Sequence, residues 1–543
     1  MRNSSEALRK GPASIPRGVL WTILIAVLLR VIFFLFADDN GGDGLARLAM
    51  TDIWLRHPSW SPVFAAYLPL HFWLIAGLTL LVRNVALAGR LVSLILGVAS
   101  VGLFWRLAER IYGLTAAWLS LAVFCFYSLH ISVSSVSGAE ATYIFFLLAG
   151  LVGFFDYLHT ARLPSLALSG ISMTMAAAVR YESWVLIFAM SLVLLAATWK
   201  SIRQNGWQWV RVRPLLLFCS MAGAWPLFWM WYVWRKLGDP LYFIHGQHKW
   251  VAEIGVLTFR SPIYLLSFTP GVLFLTLSPI AFLGSLYALA LAAREQPGRE
   301  LAFLAVFFGT IQFYQLVSGA AWTSARFTIT LGVFLALMSG YGLQEFMRRH
   351  AFAWRRCLTA FVVATLVVNV GAILWMSHEK GPLSEKFRSI SPLAQFARPV
   401  EEVGAVLRPR LGPSDGIVID NVNCESNMVA AAAGLPLNSS DRVFLTASEI
   451  PTGKCESDLN GELLKAGLPV LSQAAPDTPN NFARLDSFIT NRRPRFLVYS
   501  PVGVLPSYVA LSGPCINPIV QRNLQFQCVF EGERYRVYEL HYQ

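Results

Sequence analysis

The chain has 543 residues, of which 55% are hydrophobic and 14% are charged, and its mean hydropathy is +0.53. This composition is far too apolar for a soluble globular protein and indicates a polytopic membrane protein. The formal net charge of +13 comes mostly from Arg and Lys beside the apolar segments and from Arg in the C-terminal tail, so the sequence gives no support for a nucleic-acid partner.

Apolar stretches recur along the first 377 positions. Each is about 16–22 residues long, roughly enough to cross a hydrocarbon core of ~30 Å. The first stretch follows Arg17 and is too long for the apolar part of a cleavable signal peptide, and no small-residue cleavage site follows it. We therefore predict about eleven transmembrane helices. Their ranges are 19–36, 87–105, 114–131, 139–158, 163–179, 184–199, 214–233, 268–292, 301–317, 327–346 and 357–376.

Basic residues predict the orientation of these helices and the status of one further apolar run, residues 62–82. With eleven crossings, every basic cluster between the helices falls on the cytoplasmic side, as the positive-inside rule demands. A crossing by residues 62–82 would move most of these clusters outside, so we expect that run to lie in the outer interface. The clusters are Arg2, Lys10 and Arg17; Arg106 and Arg110; Arg162; Lys200, Arg203, Arg211 and Arg213; Arg294 and Arg299; and Arg348, Arg349, Arg355 and Arg356.

The composition changes after Met376, where Pro, Asn, Asp and Ser become frequent and no apolar span remains. We predict a transmembrane domain over residues 1–377, with a first outer loop at 38–86, and a small extracytoplasmic α/β domain over residues 378–543. The N-terminus is then cytoplasmic. Strand-like runs occur at 416–420, 496–499, 528–530 and 535–540, and helix-like segments at 426–433 and 461–466.

Four of the seven cysteines lie in the tail, which we place in an oxidising compartment. We therefore expect at least one disulfide among Cys424, Cys455, Cys515 and Cys528. The others, Cys125, Cys219 and Cys357, lie in apolar runs and are expected to be inert packing residues. The sequence has no zinc-type Cys/His spacing, P-loop, dinucleotide fingerprint or Gly-x-Ser-x-Gly elbow.

Three carboxylates, Asp38, Asp39 and Asp43, follow the first apolar run and lead into a long aromatic-rich loop. Carboxylates at a membrane surface are costly to desolvate, so such a cluster either solvates a helix end or does chemistry. Further motifs follow in a fixed order. They are Ala46-Arg47 after Asp43; Tyr67-Leu68-Pro69-Leu70-His71-Phe72-Trp73-Leu74; Arg90-Leu91; Arg106-Leu107-Ala108-Glu109-Arg110-Ile111-Tyr112-Gly113; and Ser134-Ser135-Val136-Ser137-Gly138-Ala139-Glu140.

This order of motifs resembles the GT-C superfamily of integral-membrane glycosyltransferases, in particular its glycosyltransferase 39-like branch of protein O-mannosyltransferases and aminoarabinose transferases. The chain departs from that pattern in three places. Tyr67 stands where the family has His or Lys, Leu68 replaces the first Pro of a Pro-Pro-Leu element, and Gly44 follows Asp43 where the family has an Asp-Glu pair. The family's fold also keeps the Pro-Pro-Leu stretch peripheral.

The resemblance implies an inverting hexosyl- or pentosyltransferase that moves one sugar from a polyprenyl-phosphate donor to an acceptor outside the cytoplasm. Such an enzyme must deprotonate an acceptor hydroxyl and neutralise the departing phosphate. Asp43 matches the family's loop Asp and is the expected base, and Asp39 is the second candidate. Glu140 matches a second acidic position, although a carboxylate at a helix start is also favoured by the helix dipole.

The predicted substrate-binding residues lie near the same face of the membrane. Arg47, Tyr67 and His71 belong to the matched motifs. Arg180 and Glu182 interrupt two apolar runs, where they either pair with other groups or bind the donor. Arg326 precedes Phe327 and resembles the family's late Arg-Phe/Tyr element, so it either contacts phosphate or snorkels to the interface. Arg30 is the only charge in the first span and lies toward its outer end, where it could snorkel; a functional role is the weaker interpretation.

The outer loop 235–267 contains His245 and His248. In the resembled family the corresponding loop helps to close over the lipid donor. Metal binding by these two histidines is the weaker interpretation, and a solvated interfacial helix with aromatic anchors is the stronger one. Metal use stays open: the loop carboxylates have the chemistry to bind Mg²⁺ or Mn²⁺, but the lipid-monophosphate branch of the family does not clearly require a cation.

Two other classes of protein compete with this interpretation. A transporter or flippase would place polar groups at the membrane midplane on broken helices, often with internal repeats, whereas here the charges gather at one face. A membrane anchor for the tail would need one or two helices rather than eleven. The expected partners are therefore membrane lipid, the polyprenyl-phosphate sugar and an acceptor protein, lipid or glycan, and the expected location is the plasma (inner) membrane.

Overall fold

The structure is a computed structural model of the whole chain. It describes residues 17–36, 67–245, 262–294, 298–318, 324–350, 398–420, 481–501 and most of 505–543, with scattered positions in 44–58, 360–368 and 429–445. Two predicted helical segments lie outside this part of the chain. They are most of the last predicted span, 357–376, and the helix-like segment 461–466.

The N-terminal part is helical. In chain order its helices are α1 (Arg17–Phe36), α2 (Leu70–Val82), α3 (Val85–Tyr112), α4 (Leu114–Cys125), α5 (Ser128–Val133), α6 (Glu140–Thr160), α7 (Leu163–Ala177), α8 (Glu182–Asn205), α9 (Trp209–Leu237), α10 (Pro262–Leu277), α11 (Pro279–Ala292), α12 (Arg299–Val317), a 3₁₀ helix (Ala325–Thr328) and α13 (Ile329–Arg349). Residues 44, 47, 48, 50, 51, 54 and 55 of the first loop are also helical.

Seven of these elements are long and apolar enough to cross a membrane: α1, α3, α6, α8, α9, α12 and the 3₁₀ helix with α13. The pair α10 and α11 would add an eighth. The predicted spans at 114–131 and 163–179 contain shorter apolar helices: α4 ends at Cys125 and α5 follows it, and α7 has 15 residues. The protein is therefore a multi-pass membrane protein, as its composition predicts.

Two of the predicted spans are broken inside the bundle. The span expected at 268–292 is bent by 116° between α10 and α11. The bend lies at Ser278, whose φ of 77° is outside the helical region, and Pro279 then starts α11. The span expected at 114–131 is broken between Cys125 and Ser128. The hydropathy of the sequence does not show either break, because apolar residues lie on both sides of each one.

Helix α2 is too short to cross the bilayer. Its 13 residues span about 20 Å at 1.5 Å per residue, against ~30 Å for the hydrocarbon core. Arg83 adopts a left-handed conformation after it, and the side chain of Asn84 accepts a hydrogen bond from the Leu87 amide to cap α3. The described part of the apolar run 62–82 therefore forms a short helix that packs beside α3 and not an additional span.

Small residues bring the helices into close contact. A side chain added at Gly340 would collide with the Ala116 backbone, and one added at Gly342 would collide with the Gly284 backbone. These contacts pack α13 against both α4 and α11, as expected where van der Waals packing holds membrane helices together.

The tail contains a six-stranded sheet. The strands are β1 (Ile417–Ile419), β2 (Val443–Leu445), β3 (Phe496–Tyr499), β4 (Ile519–Gln521), β5 (Leu524–Glu531) and β6 (Arg536–Tyr542), with the helices α14 (Arg398–Leu407) and α15 (Asn481–Arg492). The order is β2-β1-β3-β6-β5-β4, parallel among β2, β1 and β3 and antiparallel from β3 to β4. The predicted small α/β region is confirmed, although the sequence did not predict β2, β4, α14 or α15.

Cysteine pairing in the tail agrees with expectation in the part that is described. Cys515 is bonded to Cys528, with Cα atoms 5.3 Å apart, which confirms the prediction of at least one disulfide. Cys125 and Cys219 are free. Cys357, Cys424 and Cys455 lie outside the described residues.

The tail and the first loop share one buried apolar cluster. It contains Phe72 and Ile75 of α2 together with Val403 of α14 and Val498 of β3. The division at residue 377 stays a prediction, and residues from both sides of it belong to this one cluster.

Candidate active site

A buried ion cluster lies where α6 and α8 begin, which we call the Glu140 end of the bundle. Glu140 is the first residue of α6 and is only 3% exposed, and Arg180, just before α8, is 8% exposed. Arg180 Nη1 lies 2.7 Å from Glu140 Oε1. On its other side, Arg180 Nε and Nη2 donate to Glu182 Oε1 at 3.0 and 2.5 Å. The guanidinium is therefore held between two carboxylates.

Electrostatics keeps this cluster charged despite its burial. Burial alone would lower the pKa of the Arg180 guanidinium, but the neighbouring Glu182 and Glu140 outweigh it and raise that pKa above its ordinary value. Two adjacent carboxylates would repel each other without this cation between them. Arg180 is thus a fixed positive charge in a site with little water.

A second guanidinium approaches the same carboxylate from the 3₁₀ helix. Arg326 Nη1 lies 3.9 Å from Glu140 Oε1. The ring of Phe327 is 5.1 Å from Arg326 Cζ and 5.7 Å from Arg180 Cζ, both measured to the ring centroid, and Gln312 Nε2 donates to the Phe327 carbonyl at 2.6 Å. Arg326 is therefore largely buried beside an aromatic ring and an acid, and the expectation that it merely snorkels does not describe it.

His71, at the start of α2, lies against the turn before Glu140. Its Nε2 is 3.0 Å from the Ser137 carbonyl and its Nδ1 is 2.9 Å from Thr142 Oγ1. Complete burial and the positive charge of Arg47 lower the pKa of His71 to about 4. A neutral imidazole that donates from Nε2 and accepts at Nδ1 satisfies both contacts.

The first loop meets the same turn. The Arg47 guanidinium is 5.0 Å from the centre of the Tyr67 ring, which identifies a cation–π contact between two of the predicted substrate-binding residues. A Cβ added to Gly44 would lie 3.3 Å from Ser137 Oγ. Asp43 precedes Gly44 in the chain, but Asp38, Asp39 and Asp43 lie outside the described residues.

His245 has different surroundings. It is exposed, and its Nδ1 lies 2.6 Å from Asp239 Oδ2. The hydrogen bond from His245 lowers the pKa of Asp239. Two residues earlier, Phe243 stacks on Tyr181 at 4.3 Å, so the turn carrying His245 touches the neighbour of Arg180. His248 is outside the described part of the loop.

Two further arginines are buried near the cluster. Arg90 donates to the Ser135 carbonyl at 2.9 Å and to the Phe34 carbonyl, so this motif residue ties the turn before Glu140 to the end of α1. Arg30 is completely buried and hydrogen-bonds inside the bundle. The prediction that Arg30 snorkels is wrong: its guanidinium is directed at a helix break that hydropathy does not reveal.

The structure brings together residues that are distant in sequence: Arg47, Tyr67, His71, Glu140, Arg180, Glu182 and Arg326 all lie at the Glu140 end. The sequence identified each of these residues as a candidate, but it did not predict which of them contact one another. Within the described ranges no group of three or more His, Cys, Asp or Glu residues is arranged to hold a metal ion.

Comparison with known proteins gives one family match and several similar solved structures. Residues 57–225 match the family described as dolichyl-phosphate-mannose-protein mannosyltransferase. None of the curated proteins compared with the chain matches it. The structure is similar to ArnT from Cupriavidus metallidurans bound to undecaprenyl phosphate, with 14% identity and a TM-score of 0.61 over 96% of this chain and 97% of that one.

Two more solved structures are similar to this chain, one to the same degree and one less. ArnT in the apo state gives 13% identity and a TM-score of 0.60, covering 96% and 97% of the two chains. The Archaeoglobus fulgidus oligosaccharyltransferase gives 15% identity and a TM-score of 0.48, covering 89% and 69%, which is too weak to carry an argument. At these identities the ArnT likeness shows the fold alone. Together with the family match over residues 57–225, that fold confirms the resemblance to the GT-C superfamily and supports a glycosyltransferase.

Proposed function

We propose that this multi-pass membrane protein of GT-C fold transfers a single sugar from a polyprenyl-phosphate donor to an acceptor on the extracytoplasmic side of the plasma membrane. The N-terminus is then cytoplasmic, and the Glu140 end and the tail are extracytoplasmic. The charge distribution along the chain supports this orientation. The sugar in this proposal is a hexose or a pentose, and the acceptor is a protein, a lipid or a glycan.

One observation carries the proposal: two guanidinium groups from distant parts of the chain converge on one buried carboxylate. Arg180 and Arg326 lie 2.7 and 3.9 Å from the same oxygen of Glu140. A lipid-linked sugar leaves behind a phosphate that gains negative charge in the transition state. Fixed cations in a site of low dielectric stabilise such charge more effectively than mobile cations in water.

The reaction balances as a single displacement. The acceptor hydroxyl oxygen forms a bond to the anomeric carbon of the sugar while the bond from that carbon to the phosphate oxygen breaks. The hydroxyl proton passes to a carboxylate, and the bonding electrons leave with the polyprenyl phosphate. One displacement inverts the anomeric configuration. We assign stabilisation of the leaving phosphate to Arg326 and Arg180.

We propose Asp43 as the base, with Asp39 as the second candidate. Support comes from Gly44, the residue after Asp43, because its backbone packs against Ser137 in the turn that leads to Glu140. That contact joins the residue after Asp43 to the turn that leads to Glu140, the carboxylate that Arg180 and Arg326 both approach. In this proposal Glu140 and Glu182 orient Arg180 and balance its charge, rather than take part in proton transfer.

The remaining residues shape the site around the reacting groups. We propose that Arg47 and Tyr67 bind the donor from the first loop, and that neutral His71 holds the Ser137 turn in place through its Nε2–H. His245 belongs to the loop that we expect to contact the lipid after it has bound, since Phe243 in the same turn stacks on Tyr181.

The comparisons support the donor class without identifying the sugar. The matched family is named for dolichyl-phosphate mannose, and the ArnT structure contains undecaprenyl phosphate, so both involve a prenyl monophosphate. A transporter for such a lipid is the alternative function. The convergence of charges at one end of the bundle favours a one-sided active site over it.

The decisive assay uses purified protein in sealed vesicles of known orientation, with radiolabelled sugar on a polyprenyl phosphate. We expect label to move covalently to an added acceptor on the side of the tail, with release of polyprenyl phosphate. Movement of intact labelled lipid across the bilayer without transfer would instead establish a flippase. A parallel reaction with EDTA tests the predicted option of Mg²⁺ or Mn²⁺ bound by the loop carboxylates.

A further inference from the structure

Arg30 lies in the interior of the first apolar helix without a carboxylate beside it in the part of the chain that is described. It is 0% exposed. Its contacts are neutral: the Ala26 carbonyl at 3.0 Å and His130 Nδ1 at 2.8 Å are the shortest. A charge buried in an apolar bundle costs several kcal/mol in order of magnitude, so a residue that persists there is a functional candidate by default.

The guanidinium of Arg30 lies at the break between α4 and α5. Its Nη1 is 3.3 Å from the Cys125 carbonyl and its Nη2 is 3.5 Å from the Phe124 carbonyl. Both carbonyls belong to the last turn of α4, where a helix leaves C=O groups without intrahelical partners. The Phe124 carbonyl also accepts from the Tyr127 amide at 3.2 Å. Arg30 donates to the Cys125 carbonyl in place of the water that would solvate such a group outside a membrane.

The chain continues from this break directly into the candidate active site. Helix α5 carries His130, the second partner of Arg30, and leads into the turn 134–139 before Glu140. That turn is fixed at its far end by His71 on the Ser137 carbonyl and by Arg90, which also holds the Phe34 carbonyl of α1. Helix α1 is therefore linked to the segment 124–138 at two points: directly through Arg30 at the break, and through the α3 residue Arg90, which contacts both Phe34 of α1 and Ser135 of the turn.

We propose that Arg30 is a positioning residue for the transferase site. By donating to the Cys125 carbonyl and binding His130, it sets the position of α5 and so of the turn that leads to Glu140, opposite Arg180 and Arg326. The expected effect of Arg30 on turnover rests on the proposed function. Its expected effect on the position of the turn does not. A displacement of about 1 Å in a positioned group can cost roughly 10²-fold in rate.

The simpler alternative is that Arg30 only fastens α1 to the bundle. Thr22 provides a matched control, because it also joins α1 to α4 by a polar contact, here with Trp118 Nε1 at 3.3 Å. That contact is remote from the break. If Arg30 only attaches α1 to the bundle, Arg30→Met and Thr22→Val should have the same effect. If Arg30 positions the turn, only the Arg30 variants should have an effect.

A cross-link measures the position of the turn without requiring catalysis. A Cβ on Gly44 would lie 3.3 Å from Ser137 Oγ, so the double variant Gly44→Cys/Ser137→Cys has the spacing of a disulfide. The rate of 44–137 cross-linking under mild oxidation is followed by mass spectrometry of the full chain in detergent. It is compared in the otherwise wild-type, Arg30→Met, Arg30→Lys and Thr22→Val backgrounds.

We expect cross-linking to slow by about tenfold or more in Arg30→Met and by less in Arg30→Lys, which keeps the cation but loses the forked donors. Thr22→Val should react at the original rate. In the transfer assay, Arg30→Lys on the native Gly44 and Ser137 should lower kcat about tenfold with little change in the KM for donor.

An unchanged cross-linking rate in the Arg30→Lys and Arg30→Met backgrounds would overturn the positioning role. Equal slowing in Thr22→Val would do the same and would assign Arg30 to fastening. If Arg30→Met does not fold, Arg30→Lys decides alone. A wild-type protein that transfers no sugar would refute the proposed function, while the cross-linking result would still decide the role of Arg30.

Discussion

Two ion pairs at opposite ends of the bundle have the same length and different surroundings. Arg180–Glu140 and Arg348–Glu345 are both 2.7 Å, but the side chains are 8% and 4% exposed in the first pair and 69% and 10% in the second. At the end that carries Arg348, Arg110 also pairs with Asp156 at 3.1 Å, with the two side chains 33% and 23% exposed. Distance alone therefore says little about what a pair does.

The difference lies in the solvent. An exposed pair is screened by water and contributes little to stability, so the charges near Arg348 are adequately explained by membrane topology. A buried pair must offset a large desolvation cost, and breaking it leaves an unpaired charge. The Glu140 end keeps Arg180 and Arg326 beside Glu140 and Glu182, and we propose that these two cations bind the phosphate of the donor.

The largest effect should come from the acidic loop at the Glu140 end. Asp43→Asn preserves volume and hydrogen-bonding capacity but removes the base, so transfer should fall by roughly 10²–10⁴-fold in protein that still folds and inserts. Asp156→Asn at the other end should leave turnover unchanged. Initial rates with labelled donor measure both.

Asp38→Asn and Asp39→Asn complete this series. Asp38 is nearest the end of α1 and should tolerate the change if it only solvates that end. Loss of transfer in Asp39→Asn with retention in Asp43→Asn would move the base to Asp39. Full activity in all three variants would remove the loop from the catalytic centre.

The next effect is on stability. Arg180→Ala removes the cation between the buried Glu140 and the partly exposed Glu182, and should lower the free energy of unfolding by about 3–5 kcal/mol. Arg348→Ala should change it by about 0.5 kcal/mol or less. Thermal unfolding of both variants in the same detergent measures the contrast, and equal effects would contradict the distinction drawn between the two ends.

A pH effect should follow from His71. Its pKa is lowered from 6.5 to about 4 in the folded protein, so the unfolded chain binds the proton more tightly and stability is lost as pH falls through this window. At about 1.4 kcal/mol per pKa unit, the loss by pH 4 is of order 3 kcal/mol. Unfolding of wild type and His71→Gln between pH 7 and pH 4 should show the steeper decline in wild type. Parallel declines would mean that His71 is not the titrating group.

The same contrast explains what the sequence could and could not predict. Composition and length sufficed for a helical membrane protein, and the short strand-like runs of the tail sufficed for strands such as Phe496–Tyr499. Glu140, Arg180 and Arg326 could each be singled out, because a charge in an apolar region is conspicuous. Their mutual contacts depend on helix packing, which a single sequence does not encode locally.

Breaks inside apolar segments were the main failure. Ser278-Pro279 gives a local signal, but the interruption after Cys125 has none, because Phe126 and Tyr127 continue the apolar run. The role of Arg30 was misjudged for the same reason. Its partners are carbonyls exposed by a break that hydropathy cannot detect, so it resembled a snorkelling side chain.

The central claim is that the buried cations at the Glu140 end bind the phosphate of the lipid. Binding of polyprenyl phosphate, the product shared by all donors of this class, to purified wild-type, Arg326→Ala and Arg348→Ala protein tests it most directly. Loss of a charge-assisted phosphate contact costs about 1.5–3 kcal/mol, so Arg326→Ala should bind roughly tenfold or more weakly, and Arg348→Ala should bind as wild type. Undiminished binding by Arg326→Ala would contradict the account.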